Sequence, residues 1–284
     1  MDKPNWNQFR LYVITAEANH PGKTLADVME QTLIGGAHIV QLRNKTGSRA
    51  EVLEQAKALR LLTRKYNVPL IINDYPDIVL ETDADGVHLG QDDLPIAEAR
   101  RLLGPDRIIG ISTHNIGQAL AAERDGADYI GVGPVFPTDT KPGRAAVSTS
   151  YVAEAARSIS IPFVAIGGIT PANVDEVLAA GAKRICSVSA IVGSPDPAAT
   201  CRAFLQRIEA AEGKEAGRQK QLTVNGRAEQ TNARTIEELV RQLGQQNKRL
   251  VVELDGVIVQ RALWAETELR SGAAVELVQF VGGG

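Results

Sequence analysis

Gln41, Arg43 and Lys45 alternate at the end of a short apolar run in this 284-residue chain. In an extended strand they face one side together. A planar guanidinium beside a point-charge ammonium suits the charge-assisted hydrogen bonds that a phosphate or diphosphate requires, although a solvated strand end would carry the same residues. Two carboxylates, Asp74 and Asp93, follow other apolar runs, the second within Gly90-Gln91-Asp92-Asp93. Two carboxylates completed by substrate oxygens and waters are a common hold on Mg²⁺. A turn at Asp74 and helix capping by Asp92 or Asp93 are the structural alternatives. The two cysteines, Cys186 and Cys201, have neither zinc-site nor disulfide-framework spacing.

Further along, Ser112-Thr113-His114 closes one apolar run, and the next runs through Gly131 to Lys141. In that stretch Thr138, Thr140 and Lys141 offer hydroxyl and cationic donors that can wrap a small anion. Gly167-Gly168, with Val188-Ser189 after the following run, exposes backbone N–H groups of the kind that receive phosphate, or makes a turn that needs glycine for backbone reasons alone. His114 has no acid/base partner in the sequence and reads as a capping or hydrogen-bonding residue. The inventory holds a basic grip, a carboxylate pair and a separate phosphate pocket, with no nucleophile beside an activating base. It suits the joining of two phosphorylated molecules, in which diphosphate departs once its charge is neutralised.

These residues need a scaffold that brings strand ends together. Eight apolar runs, at 11–15, 39–43, 69–74, 86–90, 108–112, 129–133, 162–168 and 184–189, alternate with helix-period stretches, several of which end at Gly. Eight β/α units in about 200 residues fit a closed (β/α)₈ TIM barrel, whose functional side chains sit at the strand C-termini. Residues 1–211 are expected to form this barrel. Residues 212–219, rich in charge and Gly, read as a linker, and 220–284 as a small mixed module with a Gly-Gly end. A module that merely covers the barrel is the alternative. With 44% hydrophobic residues and 23% charged, the chain is too apolar to be mainly disordered. A net charge of −3 gives no overall attraction to nucleic acid or anionic lipid. The absence of a long apolar run and of a disulfide framework points to a cytoplasmic setting.

Gln41-Leu42-Arg43-Asn44-Lys45, Asn73-Asp74, His88 to Asp93, Gly110-Ile111-Ser112, Thr138-Asp139-Thr140-Lys141, Gly167-Gly168-Ile169 and Val188-Ser189-Ala190 together resemble the thiamine-phosphate synthase family, over residues 9–210. The resemblance implies a transferase that couples 4-amino-2-methyl-5-hydroxymethylpyrimidine diphosphate to 4-methyl-5-(2-hydroxyethyl)thiazole phosphate, or its carboxylated form. It implies a dissociative course with Mg²⁺ as cofactor. Lys141, Arg43 and Ser112 would be catalytic. Gln41, Arg43, Asn44, Lys45, Asn73, Ser112 and Lys141 would hold the pyrimidine diphosphate, Asp74 and Asp93 the Mg²⁺. Thr138, Thr140, Gly168, Val188 and Ser189 would meet the thiazole phosphate, with Asp139 a further substrate contact.

The last segment resembles the sulfur-carrier protein of thiazole biosynthesis, a ubiquitin-like β-grasp module. The resemblance rests on Thr223-Val224-Asn225-Gly226, Leu254 to Val259, Trp264, Val275 to Val281 and the glycine end. It implies that Gly283 and Gly284 enter a partner's active site and that the Gly284 carboxylate becomes a thiocarboxylate. The partners would be an adenylating sulfur-transfer enzyme and a thiazole synthase. Gln260-Arg261 and Gly272-Ala273 stand where that family usually has Pro-Arg and Gly-Asp. A thiazole tautomerase, a silent barrel with a carrier tail, and a molybdopterin-synthase small subunit are the rival readings. The sequence leaves a homo-oligomer open.

Overall fold

A computed structural model describes residues 9–16, 22–138, 146–216, 219–246 and 248–279. Asp139, Thr140, Lys141, Gly283 and Gly284 lie outside the described residues. The chain divides into two compact units, Met1–Ala211 and Glu212–Gly284.

The first unit is a closed parallel barrel. Its strands are β1 (Leu11–Ile14), β2 (Ile39–Leu42), β3 (Leu70–Asn73), β4 (Gly86–Leu89), β5 (Ile108–Thr113), β6 (Tyr129–Val132), β7 (Phe163–Ile166) and β8 (Ile185–Ser187). Each pairs with the next in sequence, and β8 returns to β1. These are the apolar runs expected of strands buried on both faces. One set of side chains, among them Val13, Val40, Leu70, Val87, Ile109 and Ile130, packs outward against the helices. The other set, including Tyr12, Ile39, Ile71, Ile108, Tyr129 and Val164, fills the barrel interior.

Helices α1 (Leu25–Ile34), α2 (Arg49–Lys65), α3 (Pro76–Thr82), α4 (Ile96–Leu103), α5 (Ile116–Arg124), α6 (Ser148–Ser158), α7 (Val174–Ala179), α8 (Ser189–Val192) and α9 (Pro197–Ala216) belong to this rhythm. The start of α2 matters for the mouth. Ser48 and Glu51 form a reciprocal capping box, which fixes where the loop after β2 ends. Residues 212–216, expected as linker, are instead the last turn of α9. Glu, Lys and Ala are good helix formers, and one glycine does not stop a helix already anchored by buried Phe204 and Ile208.

The second unit is a five-stranded sheet of order β10-β9-β13-β11-β12 with one helix, α10 (Ile236–Gln242). Its strands are β9 (Lys220–Val224), β10 (Arg227–Thr231), β11 (Leu250–Leu254), β12 (Val257–Val259) and β13 (Ala274–Gln279). Parallel pairing of β9 with β13 at the centre, flanked by antiparallel neighbours, is the β-grasp arrangement. Strand β10, Arg-Ala-Glu-Gln-Thr, escapes a hydrophobic reading because it is a polar edge strand. The Asn225-Gly226 turn that creates it has both residues left-handed, at φ 48° and 72°, which suits a two-residue hairpin. This unit has its own core, centred on Leu222, Ile236, Leu239, Val252, Trp264 and Val275.

Candidate active site

The C-terminal ends of the barrel strands open into a cup, the usual place of a small-molecule site in such a barrel. Its wall includes Gln41 and Arg43 from the β2 end, Asn73 from β3, Ser112 from β5, Thr138 from the β6 loop, Gly168 from the β7 loop, and Val188 and Ser189 beyond β8. The sequence placed all of these at one mouth, and the barrel brings them together.

Local structure aims each group. Thr15 is buried and bonds both the N–H and the carbonyl of Arg43, which locks the β2 end to β1. Burial pushes the Arg43 guanidinium below the usual arginine range, and the Asp74 charge acts against that shift. Its Nε is buried without a hydrogen-bond partner among the described residues. A desolvated donor of that kind is costly unless an anion arrives to meet it.

Asp74 adopts a left-handed backbone, φ 67°, while its N–H donates to the His88 carbonyl at 3.0 Å and extends the β3–β4 ladder by one residue. The Lys45 ammonium bonds its carboxylate, and Lys45, Asp74 and Asp93 are not among the residues of the cup wall. Burial raises the Asp74 carboxyl above the usual carboxylate range; Lys45 opposes the shift, and Asp93, close enough to hydrogen-bond it, adds to it. Asp93 also accepts from the Gly90 N–H at 2.6 Å, so it shapes its own loop as well. The donor set fits Mg²⁺: two neighbouring hard oxygen donors, one of them already neutralised by an ammonium standing in for a cation. Among the described residues no group of three or more His, Cys, Asp or Glu gathers.

Asn44 is not among the residues of the cup wall and is bonded within its own loop and to α2. Its carboxamide oxygen accepts from the N–H groups of Thr46 and Gly47 at 3.1 and 2.7 Å, and its nitrogen donates to Gln55. It therefore shapes the loop that carries Lys45. His114 lines the cup and bonds the Gly133 carbonyl at 2.5 Å, the hydrogen-bonding role expected of it.

Gly167 and Gly168, at φ 101° and 64°, lie against the loop after β6: a Cβ on Gly167 would stand 2.4 Å from the Pro134 Cα, and one on Gly168 2.6 Å from the Pro137 carbonyl. Both glycines are thus required by the backbone. The Asn173 amide donates to the Gly168 carbonyl at 3.0 Å and ties that loop to the start of α7.

Tyr12, His88 and Tyr129 are among the wall residues to which the sequence assigns no role. The signal was present, since a tyrosine inside a strand buried on both faces must find its hydroxyl a partner.

Residues 11–191 match the model of a family described as thiamine monophosphate synthase. The chain belongs to that family. A thiamine-phosphate synthase of Halalkalibacterium halodurans is 55% identical over 202 residues, 71% of this chain and 96% of that protein. One of Shouchella clausii is 52% identical over 204 residues, 72% of this chain and 98% of that protein. A solved thiamine phosphate pyrophosphorylase from Pyrococcus furiosus superposes with a TM-score of 0.66 at 37% identity, covering 72% of this chain and 98% of that one. Residues 216–284 match the ThiS family. The chain is thus a thiamine monophosphate synthase family barrel, a transferase of thiamine biosynthesis, joined to a ThiS-type β-grasp unit. No helix among the described residues is long and apolar enough to cross a membrane.

Proposed function

We propose that the barrel joins hydroxymethylpyrimidine diphosphate to thiazole phosphate, or to its carboxylated form, and releases thiamine phosphate and diphosphate. The observation that carries this reading is the meeting of Gln41, Arg43, Asn73 and Ser112 in one wall, with the linked Lys45, Asp74 and Asp93 in the loops that follow β2, β3 and β4. The methylene C–O bond breaks with its electron pair leaving on diphosphate, and the thiazole nitrogen lone pair forms the new C–N bond. Arg43 and Lys45 take the departing charge, while Gln41, Asn73 and Ser112 orient the pyrimidine diphosphate. Asp74 and Asp93 would hold Mg²⁺, which supplies further neutralisation of the diphosphate when bound. Gly168, Val188 and Ser189 would receive the thiazole phosphate beside the short helix after β8, a common phosphate position in such barrels. Thr138 stands in the same wall, and Asp139, Thr140 and Lys141 would complete the grip. The apolar remainder of the wall excludes water from the cationic carbon.

The C-terminal unit would carry sulfur as a Gly284 thiocarboxylate, loaded by an adenylating enzyme and discharged to a thiazole synthase. Its membership of the ThiS family supports this.

The deciding experiment mixes the purified chain with the two phosphorylated heterocycles, with and without Mg²⁺, and measures thiamine phosphate and diphosphate. Both products are expected, and only with the ion. Arg43→Ala should lower the rate about a hundredfold or more, the scale of losing one donor to developing charge. A barrel that releases no diphosphate yet interconverts the carboxythiazole phosphate tautomers would be an isomerase. One that does neither would leave the chain as a carrier alone. For the tail, an adenylating partner, ATP and a sulfur donor should add the mass of one oxygen-to-sulfur exchange, lost when Gly284 is deleted.

A further inference from the structure

Five polar side chains of the cup wall form one hydrogen-bonded chain. The Gln41 amide donates to the Tyr12 hydroxyl at 2.8 Å, and Tyr12 and Tyr129 share a hydrogen bond of 2.8 Å. The Tyr129 hydroxyl lies 2.8 Å from His88 Nδ1, and His88 Nε2 lies 2.9 Å from the Ser112 hydroxyl. The chain runs from β2 through β1, β6 and β4 to β5, so it crosses the barrel interior and ends at two residues of the wall. We propose that Tyr12 and Tyr129 are positioning residues: through His88 they couple the Gln41 amide to the Ser112 hydroxyl and fix which hydrogens these two present to substrate. The proposal rests on the synthase reading of the barrel.

The surroundings make this arrangement expensive unless it has a purpose beyond packing. Tyr12 and Tyr129 are 3% and 1% exposed, among Ile39, Ile71, Ile108 and Val164. Two phenylalanines would fill nearly the same space without polar atoms to satisfy. Moreover, β5 makes room for the chain. A Cβ on Gly110 would stand 2.1 Å from the Tyr129 ring, so glycine is the residue that lets the phenol reach His88. Burial pushes both phenols well above their usual range, and each keeps its hydrogen.

A single hydrogen per hydroxyl then imposes direction. With the Gln41 nitrogen donating to Tyr12, Tyr12 donates to Tyr129 and Tyr129 to His88 Nδ1. When the imidazole is neutral it then donates from Nε2 to Ser112, which keeps its own hydrogen to present to the cup. Turning over the Gln41 amide reverses every donor along the path. The two wall residues, on different strands, are therefore set together.

The test uses the full-length chain with both heterocycles and Mg²⁺. Tyr129→Phe and Tyr12→Phe are each expected to fold, to lower kcat roughly tenfold or more, and to leave KM for the thiazole phosphate unchanged. Tyr151→Phe is the control. It removes the hydroxyl of another buried tyrosine, bonded to Thr113 at 2.7 Å and outside the cup wall, and should keep wild-type kcat. The effects of Gln41→Met and Ser112→Ala on kcat/KM should be non-additive in the wild-type background and additive once Tyr129→Phe has cut the path. Folded Tyr12→Phe and Tyr129→Phe chains with wild-type kcat, or a Tyr151→Phe loss of equal size, would overturn the proposal while leaving the synthase reading intact. If Tyr129→Phe does not fold, Tyr12→Phe reads the same path. A wild-type chain that makes no thiamine phosphate sinks the synthase reading, and this proposal with it.

Discussion

At the scale of single residues, Asp74 holds a conformation and a charge that the fold would not choose for stability. Its backbone is left-handed, and burial holds its carboxyl above the usual carboxylate range despite the bond from Lys45. The folded chain therefore binds this proton more tightly than the unfolded chain, and ionising Asp74 works against folding. That penalty is complete above the folded-state pKa and fades as the pH falls through it. Asparagine has nearly the same shape, tolerates the left-handed region and carries no charge. Asp74→Asn, without added metal, is expected to melt above wild type at neutral pH, with the gain shrinking towards acid. Melts across a pH series check it. The same variant should lose coupling activity, because the destabilising charge is the group that would hold the ion. A variant that melts below wild type at neutral pH would show that the Lys45 bond outweighs the burial.

At the scale of elements, the loops after β6 and β7 hold each other in place. The Val135 and Phe136 N–H groups donate to the Ile166 and Gly167 carbonyls at 2.9 and 3.0 Å, which leaves no room for a Cβ on Gly167. Gly126 offers a comparison: it too is left-handed, at φ 90°, but nothing lies within 4 Å of its Cβ position. Gly126→Ala should cost only the backbone term, about 1–2 kcal/mol, and keep activity. Gly167→Ala adds a clash with Pro134, so it should cost more and displace the loop bearing Thr138, with a fall in kcat/KM. Paired melts and rates separate the two. The strands themselves were legible, because a parallel barrel buries both faces and writes each strand as a continuous apolar run. Strand β10 was not, since an edge strand needs no apolar pattern; nor was the end of α9, where composition resembles a linker but helix propensity prevails. Among the site residues, those at strand ends could be read from alternation. Asn44 could not, because an asparagine in a loop bonds its own backbone as readily as a ligand. The interior tyrosines carry no motif at all, and their hydroxyls acquire meaning only once β1, β4 and β6 are closed into a ring.

At the scale of the whole molecule, the two units have hydrophobic cores with no residue in common. They are unequal: Met1–Ala211 holds the barrel, while the core of Glu212–Gly284 has 13 buried side chains among the described residues. Small domains bury a smaller fraction of their surface, and the denaturant slope grows with the surface exposed on unfolding. The β-grasp unit is therefore expected to unfold at lower urea, with a shallower slope, while the barrel still turns over substrate. Trp264 reports on it, being 4% exposed within that core and bonded to the Val259 carbonyl at 3.1 Å. Trp6→Phe leaves Trp264 as the sole tryptophan, since the chain has two. Fluorescence of that variant should follow the tail alone, and thiamine phosphate formation at each urea concentration should follow the barrel. Two separated transitions would mean that loading sulfur onto the tail and joining heterocycles in the cup are independent tasks tethered in one chain. Coincident transitions would mean that the units stabilise one another, and then loading the tail should alter the coupling rate as well.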